Sequence, residues 1–103
     1  MRYPYKKTYR KGDRKLARLA LVFGHPARLA IVRKLMEEGD CFCGDIVKIL
    51  PLAQATVSQH IRALREAGVI EGRACGPNVC YCLKRKIVDD YLESLTHFCK
   101  DGE

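Results

Sequence analysis

Apolar residues along this chain recur first at helical spacing and later at alternating spacing. Leu16, Leu19, Ala20 and Phe23 predict one amphipathic helix, and Leu29, Val32, Leu35 and Met36 predict a second. Gly24-His25-Pro26 separates the two, with Pro26 suited to the first position of a new helix and Gly39 to its end. Cys41-Phe42-Cys43 reads as a short strand bounded by Asp40 and Gly44. "DIVKIL" follows as a short helix, with Asp45 at a cap position and Pro51 limiting its far end. Leu52-Ala53-Gln54 forms the turn into another helix, which carries Val57, Ile61 and Leu64 on one face and stops at Gly68.

After Gly68 the period changes. "VIEGRAC", "GPN" and "VCYCL" read as strand, turn and strand, because Gly76, Pro77 and Asn78 are strong turn formers. The last segment is amphipathic again, with Ile87, Val88, Tyr91, Leu92, Leu95, Phe98 and Cys99 at helical spacing. For so short a chain that face is expected to meet a partner subunit as well as the body. A helix, a tight turn and a helix with a polar leading edge make a helix-turn-helix, and the hairpin after it makes a wing. The predicted fold is mainly α with a small β-sheet, a winged helix-turn-helix in the order α-α-β-α-α-β-β-α.

Composition adds a partner to this picture. The chain has 103 residues and a net charge of +7, the size of one domain. Residues 1–15 hold Arg2, Lys6, Lys7, Arg10, Lys11, Arg14 and Lys15 against Asp13 alone, while the remainder is nearly neutral. The expected organisation is a basic arm over 1–15, disordered without nucleic acid, a DNA-binding and dimerisation domain over 16–100, and a tail over 101–103. No apolar run approaches the ~18 residues needed to cross a bilayer. The first residues lack the apolar core of a secretory signal, so a cytoplasmic protein is expected.

The second helix of the motif leads with Gln54, Thr56, Ser58, Gln59 and His60, and Arg62 and Arg65 lie further along. Amides suit adenine edges, hydroxyls suit bases or phosphates, and the arginines suit the backbone. An exposed helix surface explains the two glutamines equally simply, and an interface or capping role explains His60. Motif, wing and basic arm together favour double-stranded DNA.

"FGHPARLAIVRKLMEEGD", "TVSQHIRALREAGVIEGR" and "VCYCL" closely resemble the ArsR/SmtB family of metal-responsive repressors over roughly residues 16–100. The resemblance implies a homodimer paired through the first and last helices, binding to a pseudo-palindromic operator, and release when a thiophilic ion binds. It assigns DNA contact to Gln54, Thr56, Ser58, Gln59 and His60. Two positions depart from the pattern: Ala53 and Ala55 stand where the family often has Ser.

Six cysteines remain to be placed. A disulfide framework needs an oxidising compartment and a chain short of core, so reduced thiols are expected here. In a winged helix the strand before the motif pairs with the last wing strand, which brings "CFC" beside "CYC". With Phe42, Val79, Tyr81 and Leu83 turned to the core, period two turns Cys41, Cys43, Cys80 and Cys82 outward. Cross-strand spacing of roughly 4.5–5.5 Å lets such thiols converge on one soft ion. Cys75 is a candidate extra ligand, and Cys99 is expected in the core. The family's CxCxxC arsenic site is matched only in part, because Ile46 stands at the third Cys, and its last-helix zinc site is absent. Trivalent arsenic or antimony is the first expectation and zinc or cadmium the next. A redox or reactive-sulfur sensor on the same scaffold is the nearest rival. A structural zinc that senses nothing is a further one. With no CxxC pair and no C-x5-R, an enzyme is not expected.

Overall fold

The computed structural model describes residues 8–101. Arg2, Lys6 and Lys7 of the basic arm, and residues 102–103 of the tail, lie outside the described residues. The described chain runs α1 (Asp13–Phe23), α2 (Pro26–Glu37), β1 (Cys41–Phe42), a 3-10 turn (Ile46–Ile49), α3 (Gln54–Glu66), β2 (Ile70–Cys75), β3 (Asn78–Leu83) and α4 (Arg85–Asp101). The predicted order holds, with the first helix of the motif contracted to the 3-10 turn. Asp45 caps that turn by accepting the Val47 N–H at 3.2 Å, which fixes its start despite its length.

The helix ends follow from local chemistry. Pro26 opens α2, and the residue before it, His25, caps the helix through Nδ1, which accepts the Ala27 N–H at 3.0 Å. At the other end Gly39 and Asp40 both take positive φ, 73° and 76°. That reversal lets the Asp40 N–H reach the Leu35 carbonyl at 2.7 Å. Asp40 then joins three elements. Its carbonyl accepts the Leu83 N–H at 2.6 Å, and its carboxylate accepts two bonds from Arg85, at 2.8 and 3.3 Å. The end of α2, the sheet and the start of α4 are thereby tied at one residue.

Ile31, Leu35, Val57, Leu64 and Val69 are fully buried and form the centre of the core, between α2, α3 and the sheet. Burial of side chains of this kind contributes roughly 1.5–3 kcal/mol each. Phe23 of α1 stacks on Tyr91 of α4, with centroids 4.9 Å apart and planes 8° from parallel, which attaches the first helix to the last. The sheet is antiparallel in the order β1-β3-β2, so β3 is the central strand. Phe42, Tyr81 and Leu83 pack against the core as the alternation predicts. Val79 does not: it is 48% exposed, because the wing runs past the end of the core at that point. Cys99 is likewise exposed rather than buried, on the last turns of α4 where Leu95 and Phe98 also face outward.

Candidate DNA-reading face and sulfur site

The recognition helix α3 is held by one buried stripe, Val57, His60, Ile61 and Leu64, at spacing i, i+3, i+4, i+7. The opposite face carries Gln54, Ser58, Gln59, Arg62 and Arg65, all exposed, with Thr56 half-buried at the edge. His60 is therefore not on the exposed face with the other polar residues of α3. The residue is 8% exposed, and its ring centroid lies 4.3 Å from that of His25. Its Nδ1 accepts the Nε–H of Arg28 at 3.1 Å, while Arg28 Nη1 donates to the Val22 carbonyl at 3.2 Å. Burial, followed by the charges of His25 and Arg28, pushes the His60 pKa below its ordinary value, so the ring favours the neutral form its hydrogen bond requires. The buried spacing itself was the signal that this histidine faces inward.

Between α3 and the wing lies an open groove of about 820 Å³. Ser58, Arg62 and Arg65 line one side, Asn78 and Tyr81 the other, and Cys43 sits at its rim. The reading helix, the wing and Cys43 thus border one concave surface.

The sulfurs gather where the strand pairing predicts. Cys41 is the direct cross-strand partner of Cys82, and Phe42 that of Tyr81. The expected reduced thiols are not what the structure holds: Cys41–Cys82 and Cys43–Cys80 are disulfide-bonded, because the cross-strand pairing brings their Cα atoms to 4.0 and 4.1 Å. The expectation that all four turn to solvent needs correcting. Cys41 and Cys43 are exposed, but Cys80 and Cys82 are only 4% and 6% exposed. The cause is strand order. β3 is central, so its outer face is flanked by Cys41 and Cys43 on one side and by Glu71 and Arg73, the partners of Cys82 and Cys80, on the other. Glu71 is itself held by Arg73, at 2.9 Å from Nε, and by Lys84 at 3.0 Å. Those two hydrogen-bonded cations draw its carboxyl below the usual carboxylate range.

Cys75 joins this group. The turn of the wing contains two residues, Gly76 and Pro77, and Gly76 takes the φ of +63° that primed hairpin turns need. Cys75 consequently pairs with Asn78 and shares its face with Cys80 and Cys82. Its sulfur lies 3.8 Å from that of Cys43. Among the described residues, the sulfurs of Cys43, Cys75 and Cys80 all fall within 4.8 Å of one another. Three sulfurs drawn from the β1 loop, β2 and β3 form a donor set suited to a soft ion once reduced, and to disulfide chemistry when oxidised.

Fold and exposed helix define a DNA-binding regulatory domain of the winged helix-turn-helix class. Residues 25–71 match the model of the bacterial regulatory protein, arsR family. An uncharacterised HTH-type transcriptional regulator of Methanocaldococcus jannaschii is 36% identical over 83 residues, spanning 79% of this chain and 86% of that protein. The HTH-type transcriptional repressor SmtB of Mycobacterium tuberculosis is 35% identical over 78 residues, 75% of this chain but only 57% of that protein's length. The solved structure of the transcriptional repressor BigR from Xylella fastidiosa superposes with a TM-score of 0.65 at 31% identity, covering 86% of this chain and 91% of that one. The chain belongs to the arsR family: it is a transcriptional repressor and not an enzyme. Among the described residues no helix is long and apolar enough to cross a membrane.

Proposed function

We propose that this protein is an operator-binding repressor that leaves DNA when a thiophilic ion binds its wing sulfurs, trivalent arsenic or antimony before zinc or cadmium. Cys43, Cys75 and Cys80 are the ligands favoured by distance, with Cys41 and Cys82 adjoining. The observation that carries this reading is that three sulfurs from three separate segments lie within 4.8 Å, and that Cys43 is two residues from Asp45, the cap of the motif. Drawing those sulfurs together acts on the Cys43-Gly44-Asp45 link, and through it on the approach of α3 to DNA. A coupling of ~1–3 kcal/mol suffices to change affinity 5–150-fold.

Gln54, Thr56, Ser58 and Gln59 are the proposed base and phosphate contacts, with Arg62 and Arg65 on the backbone. His60, buried and engaged by Arg28, supports that face from behind. The partner subunit is a second copy. On α1 and α4, Leu21, Leu92, Leu95 and Phe98 are 77, 57, 40 and 54% exposed, an apolar surface that pairing of the first and last helices would cover.

The test is release of a fluorescent operator duplex from the reduced protein, comparing arsenite, antimonite, zinc and cadmium in monothiol buffer, and peroxide after the reductant is removed. Arsenite is expected to release the wild type but not Cys43→Ser/Cys80→Ser. Normal release of that double variant would place the inducer site elsewhere.

A second reading has its own support. The two cross-strand disulfides, Cys41–Cys82 and Cys43–Cys80, give the same patch an oxidised form. On this reading release follows oxidation, and peroxide or a persulfide acts where arsenite does not.

A further inference from the structure

We infer that Cys75 is an exchanging thiol, and that the disulfide at Cys43 migrates between Cys80 and Cys75. The inference rests on the sulfur patch being the sensing site and names how that site is rearranged from within.

Geometry is the first argument. The Cys43–Cys80 disulfide has a third, free sulfur beside it: Cys75 Sγ stands 3.8 Å from Cys43 Sγ, close to sulfur–sulfur contact. Both Cys75 and Cys43 are exposed, whereas Cys80 is 4% exposed. Cys43 is therefore the sulfur of the pair that Cys75 can reach; with all three sulfurs within 4.8 Å, Cys75 stands to the side of the Cys43–Cys80 bond and swings into line with it to attack. Attack at a chosen sulfur, and departure of the other, is the ordinary course of thiol–disulfide exchange.

The step balances without an outside reagent. The Cys75 thiolate forms a bond to Cys43 Sγ, the Cys43–Cys80 bond breaks, and Cys80 leaves as the thiolate. One disulfide and one thiolate stand on each side, so no oxidant or reductant is consumed.

Two features keep the three sulfurs together while this happens. The Cys41–Cys82 disulfide lies two residues along the same strand pair and holds the β1–β3 register. The two-residue Gly76-Pro77 turn holds Cys75 at the end of β2. The products differ mechanically. In one, the loop before Asp45 is tied to the central strand; in the other it is tied to the end of β2, beside the turn of the wing.

The experiment is disulfide mapping of the full-length protein in a glutathione redox buffer, after acid quench and alkylation with N-ethylmaleimide. Chymotrypsin cleaves after Phe42 and Tyr81, separating Cys41 from Cys43 and Cys80 from Cys82. Fragmentation at Gly76–Pro77 then distinguishes Cys75 from Cys80. In the wild type both Cys43–Cys80 and Cys43–Cys75 links are expected, with Cys75 and Cys80 each partly alkylated. Cys75→Ser should retain the Cys43–Cys80 link alone, and Cys80→Ser should convert to the Cys43–Cys75 link. Wild-type protein with Cys43–Cys80 fully formed and Cys75 fully alkylated overturns the inference, whether or not Cys80→Ser folds. Arsenite release in reducing buffer is a separate measurement, so failure of the inducer reading and failure of disulfide migration give different results.

Discussion

The Nε–H of Arg28 donates to Nδ1 of His60 at 3.1 Å, joining α2 to the buried side of the recognition helix. A histidine in the helix that reads DNA thus serves to seat that helix. Its neutral form accepts this bond, and protonation would abolish the acceptor and place a charge beside Arg28 and His25. Because the folded pKa lies below the ordinary value of 6.5, the unfolded chain binds the proton more tightly. Stability from His60 is therefore complete above about pH 6.5 and declines as pH falls from there through the folded pKa. Denaturant midpoints measured from pH 8 to pH 5 should fall over that interval, and His60→Gln should flatten the fall. An unchanged slope in His60→Gln would show that other groups carry it.

Ala53 occupies the N-cap of α3 with extended φ and ψ, −59° and 142°, and offers no side-chain bond to the first-turn amides. The backbone is already suited to a capping residue. Ala53→Ser should stabilise the protein by about 1 kcal/mol. The check is a chemical unfolding midpoint at fixed protein concentration, with Ala55→Ser, one turn position inside the helix, as a control that gains no cap.

The sequence made the helices legible because their stripes and punctuation agree. Leu16, Leu19 and Phe23 give the period of α1, Gly24-His25-Pro26 gives the break, and Gly68 gives the stop of α3. That the strand of Cys41 and Cys43 lies beside that of Cys80 and Cys82 was also readable, since winged helices pair those strands; that Cys41 faces Cys82 was not, because alternation leaves registers two residues apart equivalent. The place of Cys75 was harder to read. Taking Gly76, Pro77 and Asn78 all as turn leaves its phase open, and a one-residue change in register turns a strand residue to the other face. Burial of Cys80 and Cys82 depends on β3 being flanked on both sides, which belongs to the sheet rather than to the strand. His60 was readable in part: its spacing from Val57, Ile61 and Leu64 marks the buried face, but a polar residue in a reading helix invites the opposite assignment.

Exposed apolar residues are not equivalent across the surface. Leu92 and Phe98 lie on α4, whereas Leu52 precedes α3 and Val79 lies on the wing. If α1 and α4 pair two copies, charge on α4 opposes association while charge on the wing does not. Leu92→Lys/Phe98→Lys should sediment as a monomer and lose at least tenfold in operator affinity. Val79→Lys should keep the sedimentation behaviour of the wild type. A double variant that sediments with the wild type would remove α4 from the interface.

Gly44 is required by space rather than by backbone freedom. It does not take positive φ among the described residues, but a Cβ built on it would stand 2.6 Å from Cζ of Phe42. The ring of Phe42 therefore lies over the link between the sulfur strand and the motif, packed against the core. Gly44→Ala must push that ring aside or shift the link, and overpacking of this kind costs roughly 1–3 kcal/mol. Both effects act on the Cys43–Asp45 segment, so operator affinity should fall together with stability. Phe42→Leu removes the obstructing ring, so the combination Gly44→Ala/Phe42→Leu should lose less than the sum of the two single losses. A coupling energy of at least about 0.5 kcal/mol in a double-mutant cycle is expected for residues in contact. Strict additivity would mean that the ring and the glycine do not meet, and that Phe42 does not brace the Cys43–Asp45 link.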